Sequence, residues 1–518
     1  VSLQELHIQN FKFFREVEPK EKNPLLNIDG RHVLIYGENG SGKSTIYWAL
    51  YTLLEASFKK KDSDIKKYFY KRSKHSLVNL YTPSGQGASI KAVVEDSQGN
   101  NEHYKVSRTD LNIKGDSDVM ESNMASDFIN YRILFQLHNR KHSKSVDLFP
   151  WFYEEVLPYV RKNATPCLEE FDELKIGPTK VKDIHGDDVY PVASLRKSKD
   201  PAEKNNYQVY KDYKKKVKEW NVWLGDFLEN TSLKANQILQ SNFKYDFKFE
   251  FDLTDFKFTT KEDYFDFDVP EIRIKIPEYD GQSTTRIKKP HTFLNEAKWS
   301  AIGLSIRFAI LDIKLYQADM KCLVIDDMLL SLDMKHRYKV LDLLLNQYAN
   351  DFQLIMMTHD RHFYELSKSK INALNQSRDW LKFEMYEDKV QTGVRPLLID
   401  SKTNLEKAIS FYKKKEFAAS ANHLRKATEK FVYQFVPKNK HYDRNFNKLN
   451  LSQMIDRSRA LARLNNWPPS IISNLDIMRS NLFNPQSHYD IDAPVFQSDL
   501  EDGIELIEEI VNRTGFNL

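Results

Sequence analysis

Apolar residues alternate and then cluster between residues 3 and 15 (Leu3, Leu6, Ile8, Phe11, Phe13, Phe14), which predicts one or two strands. The run His32-Val33-Leu34-Ile35-Tyr36 predicts a strand, and the pattern from Ile46 to Leu54 a helix. Residues 76–108 predict a meander of three strands, Leu77 to Tyr81, Ser89 to Val94 and His103 to Ser107. Its turns fall at a Pro-Ser-Gly sequence and at Gly99-Asn100. An apolar stretch from Phe128 to Leu137 leads into a polar loop, His138-Asn139-Arg140-Lys141. Residues 150–243 are mostly helical in pattern, and the highly charged segment 196–221 reads as a solvent-facing helix or a loop leading into one. Strict alternation returns at Tyr245 to Phe251 and at Glu271 to Ile276, the mark of half-buried strands. Leu294 to about Gln317 predicts a helix, and Cys322 to Ile325 and Gln353 to Met357 predict buried strands. Beyond residue 401 the pattern is helical to the end. There is no internal repeat and no heptad run long enough for an extended coiled coil.

Composition narrows the class. The chain has 518 residues, 41% of them hydrophobic and 29% charged, which fits a soluble globular protein of several domains. Two cysteines, Cys167 and Cys322, are too few for a disulfide framework, so a reducing cytoplasm is expected. No apolar run is long enough for a transmembrane helix, no membrane association is expected, and the first residues do not read as a signal peptide. The net charge of +4 does not by itself argue for a nucleic-acid partner. Charge is nevertheless concentrated in residues 59–75, where Lys59, Lys60, Lys61, Lys66, Lys67, Lys71, Arg72 and Lys74 surround Tyr68, Phe69 and Tyr70. That composition suits contact with DNA or RNA, and equally a solvated helix face over an apolar stripe.

The most specific chemistry is Gly37-Glu38-Asn39-Gly40-Ser41-Gly42-Lys43-Ser44-Thr45, which fits the phosphate-cradling loop G-x-x-x-x-G-K-[ST]. Strand before and helix after are the context that motif requires. Gly37, Gly40 and Gly42 are expected to take positive φ and let the backbone approach phosphates. The loop from Asn39 through Thr45 then faces the nucleotide, with Lys43 as point charge and Ser44 as a hydroxyl ligand for Mg²⁺. The strand Cys322 to Ile325 ends in Asp326-Asp327, where Asp326 is expected to serve the metal and Asp327 to orient water as base. The next strand ends in Thr358-His359-Asp360, placing His359 for a γ-phosphate or the attacking water.

This order of motifs resembles the ABC-type ATPases of the SMC, RecF and double-strand-break-repair group. The resemblance spans roughly residues 1 to 400. It implies an α/β P-loop ATPase head, a mixed sheet with helices, carrying a short helical insertion and an all-α C-terminal domain. The expected boundaries are 1–149, 150–243, 244–400 and 401–518. The resemblance also implies further site residues. Leu294-Asn295-Glu296-Ala297-Lys298 looks like a divergent signature motif, with Asn295 in the serine position and Ala297 replacing a glycine. Ser331-Leu332-Asp333 looks like the D-loop, Gln136 like the Q-loop glutamine that also meets the metal, and Lys12 like a basic nucleotide-contacting residue. In the group the signature acts on ATP held by another subunit, so an ATP-sandwiched homodimer, or a higher oligomer, is implied. The group usually has glutamate where this chain has Asp327. The shorter carboxylate predicts slow hydrolysis, because a water held ~1 Å off can cost on the order of 100-fold in rate.

Only residues 150–243 lie between the motif sets as a helical insertion, and no Cys-x-x-Cys hook exists, which excludes long coiled-coil arms. The compact branch remains, and bacterial anti-phage ATPases of the Septu or PARIS type look closest. The C-terminal residues resemble a HEPN-type helical bundle, in which Arg479 and His488 would be the ribonuclease pair. Eight residues separate Arg479 from His488 and Pro485 interrupts the helix, a poor match to the usual spacing. Three functions follow from the resemblance: a regulatory ATPase acting on a separately encoded effector such as a nuclease, a self-contained ATP-gated ribonuclease, or a RecF-like DNA-repair ATPase.

Overall fold

The computed structural model describes residues 2–15, 25–59, 61–83, 85–96, 98–113, 115–130, 146–162, 165–283, 289–314, 318, 320–327, 334–390, 393–483, 496–516 and 518. Two compact units emerge, one of residues 1–360 with 385–397, the other of residues 361–384 with 398–518.

The first unit holds two principal sheets. Strands β1 (Ser2–Gln9), β2 (Leu25–Asn27), β4 (Ser89–Glu95) and β5 (Asn101–Ser107) form an antiparallel sheet in the order β2-β1-β4-β5. Leu3, Leu6 and Ile8 supply its buried face. Strand β3 (His32–Gly37) belongs instead to a six-stranded sheet, with β6 (Asp127–Asn130), β11 (Cys322–Asp326), β12 (Gln353–Thr358), β13 (Trp380–Val390) and β14 (Gly393–Asp400), in the order β14-β13-β3-β12-β11-β6. Its four strands β6, β11, β12 and β3 run parallel. Every residue of β11 and β12 is buried, which is why these segments are continuous apolar runs and not alternating ones.

Between the sheets' strands lie helices α1 (Lys43–Phe58), α2 (Ser117–Ala125), α3 (Phe149–Glu155), α4 (Cys167–Ile176) and α5 (Pro201–Ser241). The charged segment is resolved by α5. Its start is set by Asp200, whose side chain accepts the N–H groups of Ala202 and Glu203, with Pro201 at the first helical position. Val217, Trp220, Leu224, Phe227 and Leu228 form its buried stripe, and the lysines cover the rest. Strands β7 (Phe247–Thr254) and β10 (Glu271–Tyr279) pair antiparallel, and β8 (Lys257–Lys261) with β9 (Tyr264–Asp268) forms a separate hairpin. Helix α6 (Glu296–Ile313) packs along α5, and α7 (Met334–Asn346) precedes β12.

One expected strand is absent. Leu77 to Tyr81 forms only an isolated bridge, Val78 with Phe11. The Asn79 side chain accepts the Tyr81 N–H at 3.0 Å and donates to the Lys12 carbonyl at 2.7 Å. That local turn outcompetes a ladder and leaves Leu80 84% exposed.

The second unit contains α8 (Arg361–Ala373) and a bundle of α9 (Asn404–Lys413), α10 (Phe417–Phe435), α11 (Leu451–Leu464), α12 (Pro469–Met478) and α13 (Gln497–Thr514). Ala408, Leu424, Phe431, Ile455, Leu475 and Ile507 form its core. Capping boxes at Thr403–Glu406 and Asn450–Gln453 start α9 and α11. Among the described residues, no helix is long and apolar enough to cross a membrane.

Candidate functional site

The loop between β3 and α1 is shaped by its glycines in two different ways. Gly40 (φ 93°) and Gly42 (φ 105°) occupy the left-handed region. Gly37 does not, contrary to the expectation from the motif. It is required by space, since a Cβ there would lie 2.5 Å from Ser41 Oγ and 2.8 Å from the Met385 carbonyl. Gly42 is the N-cap of α1 and offers no side chain to the first-turn N–H groups. An oxyanion fits that end of the helix.

Lys43 is buried and donates to the carbonyls of Gly37 (2.6 Å) and Glu38 (3.2 Å). Its ammonium is 3.9 Å from Asp327 Oδ2. Burial pushes its pKa down, opposed by Asp327 and then Asp326. Because β3, β11 and β12 are parallel, the residues that follow each strand gather at one sheet edge, where ligands bind in such sheets. Asp326 ends β11. Its carboxyl is raised by burial, against a hydrogen bond from the Ser44 hydroxyl. Asp326 Oδ1 is buried without a hydrogen-bond partner. Asp327 sits at φ 48°, its N–H donating to the Met357 carbonyl at 3.0 Å. Its Oδ1 accepts the His359 N–H at 2.8 Å. The His359 ring Nδ1 approaches the same oxygen to 2.9 Å without hydrogen-bond geometry.

Lys43, Ser44, Asp326, Asp327 and His359 thus converge. An orphaned buried carboxylate oxygen beside a serine hydroxyl fits Mg²⁺, which takes few protein ligands and completes its shell with phosphate and water. Among the described residues, no group of three or more His, Cys, Asp or Glu side chains suited to a metal is found. Thr45 Oγ1 accepts the Phe13 N–H at 3.4 Å, which ties the loop to the end of β1. Lys12 there adopts φ 49° and lies over the Trp48 ring at 5.2 Å.

The Asn295–Ala297 segment opens α6. Asn295 is exposed and its Oδ1 accepts the Lys298 N–H at 3.0 Å, so its carbonyl oxygen caps the helix while its amide group points elsewhere. Glu296 is also exposed, in the first turn. Lys298 is held by the Tyr279 hydroxyl and ring. Gln136, Asp333 and His488 lie outside the described residues. Arg479 pairs with Asp476 at 3.1 Å in the second unit.

Sequence reasoning did not find Met385 and Glu387 on β13. Met385 packs against Gly37 and Gly42, and Glu387 Oε1 would meet a Cβ at Gly40 at 2.8 Å. No motif marks them, because β13 reaches the loop only through sheet order. Nor did it find the buried charges behind the site. Arg307 on α6 donates through Nε to Asp127 Oδ2 at 2.7 Å and through Nη2 to Asp127 Oδ1. It also donates to the Glu155 carbonyl at 3.4 Å. Lys314, just beyond α6, is buried over the Tyr159 ring.

Burial pushes the Lys314 ammonium down to about 8, with Asp127 and Glu155 opposing and Arg307 reinforcing. A base with a lowered folded pKa penalises the fold when charged. The penalty is complete below about pH 8 and disappears as pH rises towards 10.5, the ordinary value for lysine. Stability relative to Lys314→Met should therefore be constant below pH 8 and rise above it. Urea unfolding at stepped pH checks this, and a pH-independent difference would refute it.

Residues 2–380 match the family described as RecF/RecN/SMC N terminal domain. No curated protein matches. Among solved structures, the recombination mediator RecF bound to ATP is 12% identical, covering 76% of this chain and 97% of that one at a TM-score of 0.43. An Smc head with extended coiled coil bound to the C-terminal domain of ScpA, from Pyrococcus furiosus, is 11% identical, covering 80% and 99% at 0.40. The SMC head domain from Thermotoga maritima is 12% identical, covering 77% and 100% at 0.33. The chain belongs to the RecF/RecN/SMC N-terminal-domain family and is an ATP-binding ABC-type ATPase head with an additional helical C-terminal region.

Proposed function

We propose that this ATPase is a slow nucleotide switch which dimerises around ATP and controls a separately encoded effector, a nuclease, in bacterial anti-phage defence. The observation that carries the switch is the engagement of Asp327. Its Oδ1 accepts the His359 N–H and its Oδ2 faces Lys43, in a side chain one methylene shorter than glutamate. A base so restrained reaches water poorly, so the ATP-bound form persists.

The residues divide the work as follows. The first-turn N–H groups of α1 and Lys43 bind and orient the phosphates. Ser44 and Asp326 hold Mg²⁺, which when bound supplies Lewis-acid charge neutralisation. Asp327 takes the proton from the attacking water, and His359 positions that water. Exposed Asn295 and Glu296 offer the helix N-terminus of α6 to a second copy, where the Asn295 amide donates to the partner's nucleotide. The absence of a recognisable nuclease core from the sequence supports an effector in trans, and the basic residues of 59–75 give DNA or RNA a place to act as trigger.

The test compares wild type, Asp327→Asn and Asp327→Glu, each alone and co-purified with its genomic neighbours. Asp327→Asn should trap an ATP-dependent dimer seen by light scattering. Asp327→Glu should raise turnover by about 10-fold or more, as the restored reach improves alignment. Nucleic-acid cleavage should require a neighbour. Cleavage by the isolated chain, lost in His488→Ala, would make this protein the effector and refute the proposal.

A further inference from the structure

Far along the chain from the nucleotide motifs, residues 437–450 join α10 to α11 in a loop built with unusual care. Its base is fixed at several points. Tyr433 Oη donates to the Leu449 carbonyl at 2.7 Å, and Arg457 Nη1 donates to the Lys440 carbonyl at 2.6 Å. The His441 ring Nε2 lies 2.7 Å from the Val436 carbonyl oxygen. Tyr442 bridges Lys448 across the loop, and the Leu449 N–H donates to the His441 carbonyl at 3.0 Å. The tip is tied by Asp443. Its Oδ1 accepts the N–H groups of Asn445 (2.7 Å) and Asn447 (2.9 Å), and its Oδ2 the Asn447 side-chain amide at 3.2 Å.

This construction presents Phe446. The residue is 87% exposed and sits at φ 62°, a conformation that disfavours a bulky side chain. Burial does not explain the ring, and Asn or Gly would fit the turn better. The loop's own charge is one-sided. Lys438, Lys440, Arg444 and Lys448 are exposed, while the one acid of residues 437–450, Asp443, is consumed inside the turn. A cationic loop that projects Phe446, with Tyr442 half-exposed beside it in sequence, matches a polyanion that carries stackable rings. A protein partner would be expected to meet a broader apolar patch with less concentrated charge.

We propose that the 437–450 loop docks single-stranded nucleic acid, with Phe446 stacking on a base and Lys438, Lys440, Arg444 and Lys448 along the phosphates. The site shares no residue with the 59–75 basic segment and does not depend on the proposed nucleotide switch. DNA and RNA strands share this chemistry.

The experiment measures fluorescence anisotropy of short labelled oligo-dT and oligo-U with the full chain over a salt series. Phe446→Asn removes the ring and keeps a residue that tolerates positive φ. It should weaken binding about 10-fold, equivalent to about 1.4 kcal/mol, with melting temperature unchanged or raised. Arg444→Glu with Lys448→Glu should weaken binding and flatten its salt dependence. Equal loss on both strands assigns the site to single strands generally, and loss confined to oligo-U assigns it to RNA. Absence of binding by the wild type, or unchanged affinity in both variants, would overturn the proposal.

Discussion

Replacing Lys43 by Ala should abolish ATP-dependent stabilisation and reduce hydrolysis by at least on the order of 100-fold, the usual cost of losing one preorganised charge stabiliser. The reason lies in the geometry. Lys43 lies where the phosphate loop meets Asp327, and the fold holds it buried at 4% exposure. Its hydrogen-bond partners, the carbonyls of Gly37 and Glu38, belong to the same loop, and outside that loop the ammonium meets Asp327 Oδ2 at 3.9 Å without a hydrogen bond. The fold should therefore survive, and differential scanning separates the two effects. A ligand at 100 times its dissociation constant stabilises the folded state by about 2.7 kcal/mol. Wild type should show such a shift with ATP and Mg²⁺, and should lose part of it when the metal is chelated, whereas Lys43→Ala should show none. A variant that keeps the full shift would remove Lys43 from the site.

The largest effect on stability is expected at Arg307. Arg307→Met should cost about 3–5 kcal/mol, because it strands the buried Asp127 carboxylate. Asp127→Asn should cost a comparable amount by stranding the guanidinium. The double variant Arg307→Met with Asp127→Leu should recover most of the loss, since a buried ion pair is worth little against well-packed apolar groups of similar volume. Unfolding in urea, followed by the fluorescence of Trp151, which lies 5.9 Å below the guanidinium, measures each term. Additive losses, with no recovery in the double variant, would refute the account. Asn295 caps the helix that carries Arg307, and Asp127 opens β6. A loosened pair should let the α6 N-terminus drift, so nucleotide-dependent dimerisation should weaken along with stability.

How much of this was legible beforehand differs from element to element. Local chemistry was readable wherever it is written in contiguous residues. The glycine loop at Gly37 to Thr45 follows a strand and opens a helix, as its motif requires. The buried strands β11 and β12 were visible as apolar runs ending in Asp326-Asp327 and Thr358-His359. The bundle's helical periodicity was equally plain. Reading failed where a short-range side chain competed with the pattern. Leu77 to Tyr81 has strand composition, yet Asn79 folds it into a turn. Reading also failed for Gly37, where the motif suggested backbone conformation and the structure shows close approach of Ser41 and Met385.

By itself, then, the sequence determined the class of the protein: an α/β ATPase head with its phosphate loop, its acidic strand ends and a helical C-terminal region. These features depend on residue order and on a side-chain period that a chain carries with it when unfolded. Only the tertiary structure decided which distant residues share a site. Strand order brought Met385 and Glu387 to the phosphate loop, parallel register set His359 against Asp327, and helix packing buried Arg307 on Asp127 across 180 positions of chain. Phe446 belongs with these. Its identity is local, but its meaning comes from exposure and from a turn held at both ends by neighbouring helices. The physical reason is the same in each case. Pairing across the fold is selected by shape and desolvation, and neither is expressed until the chain has closed around itself.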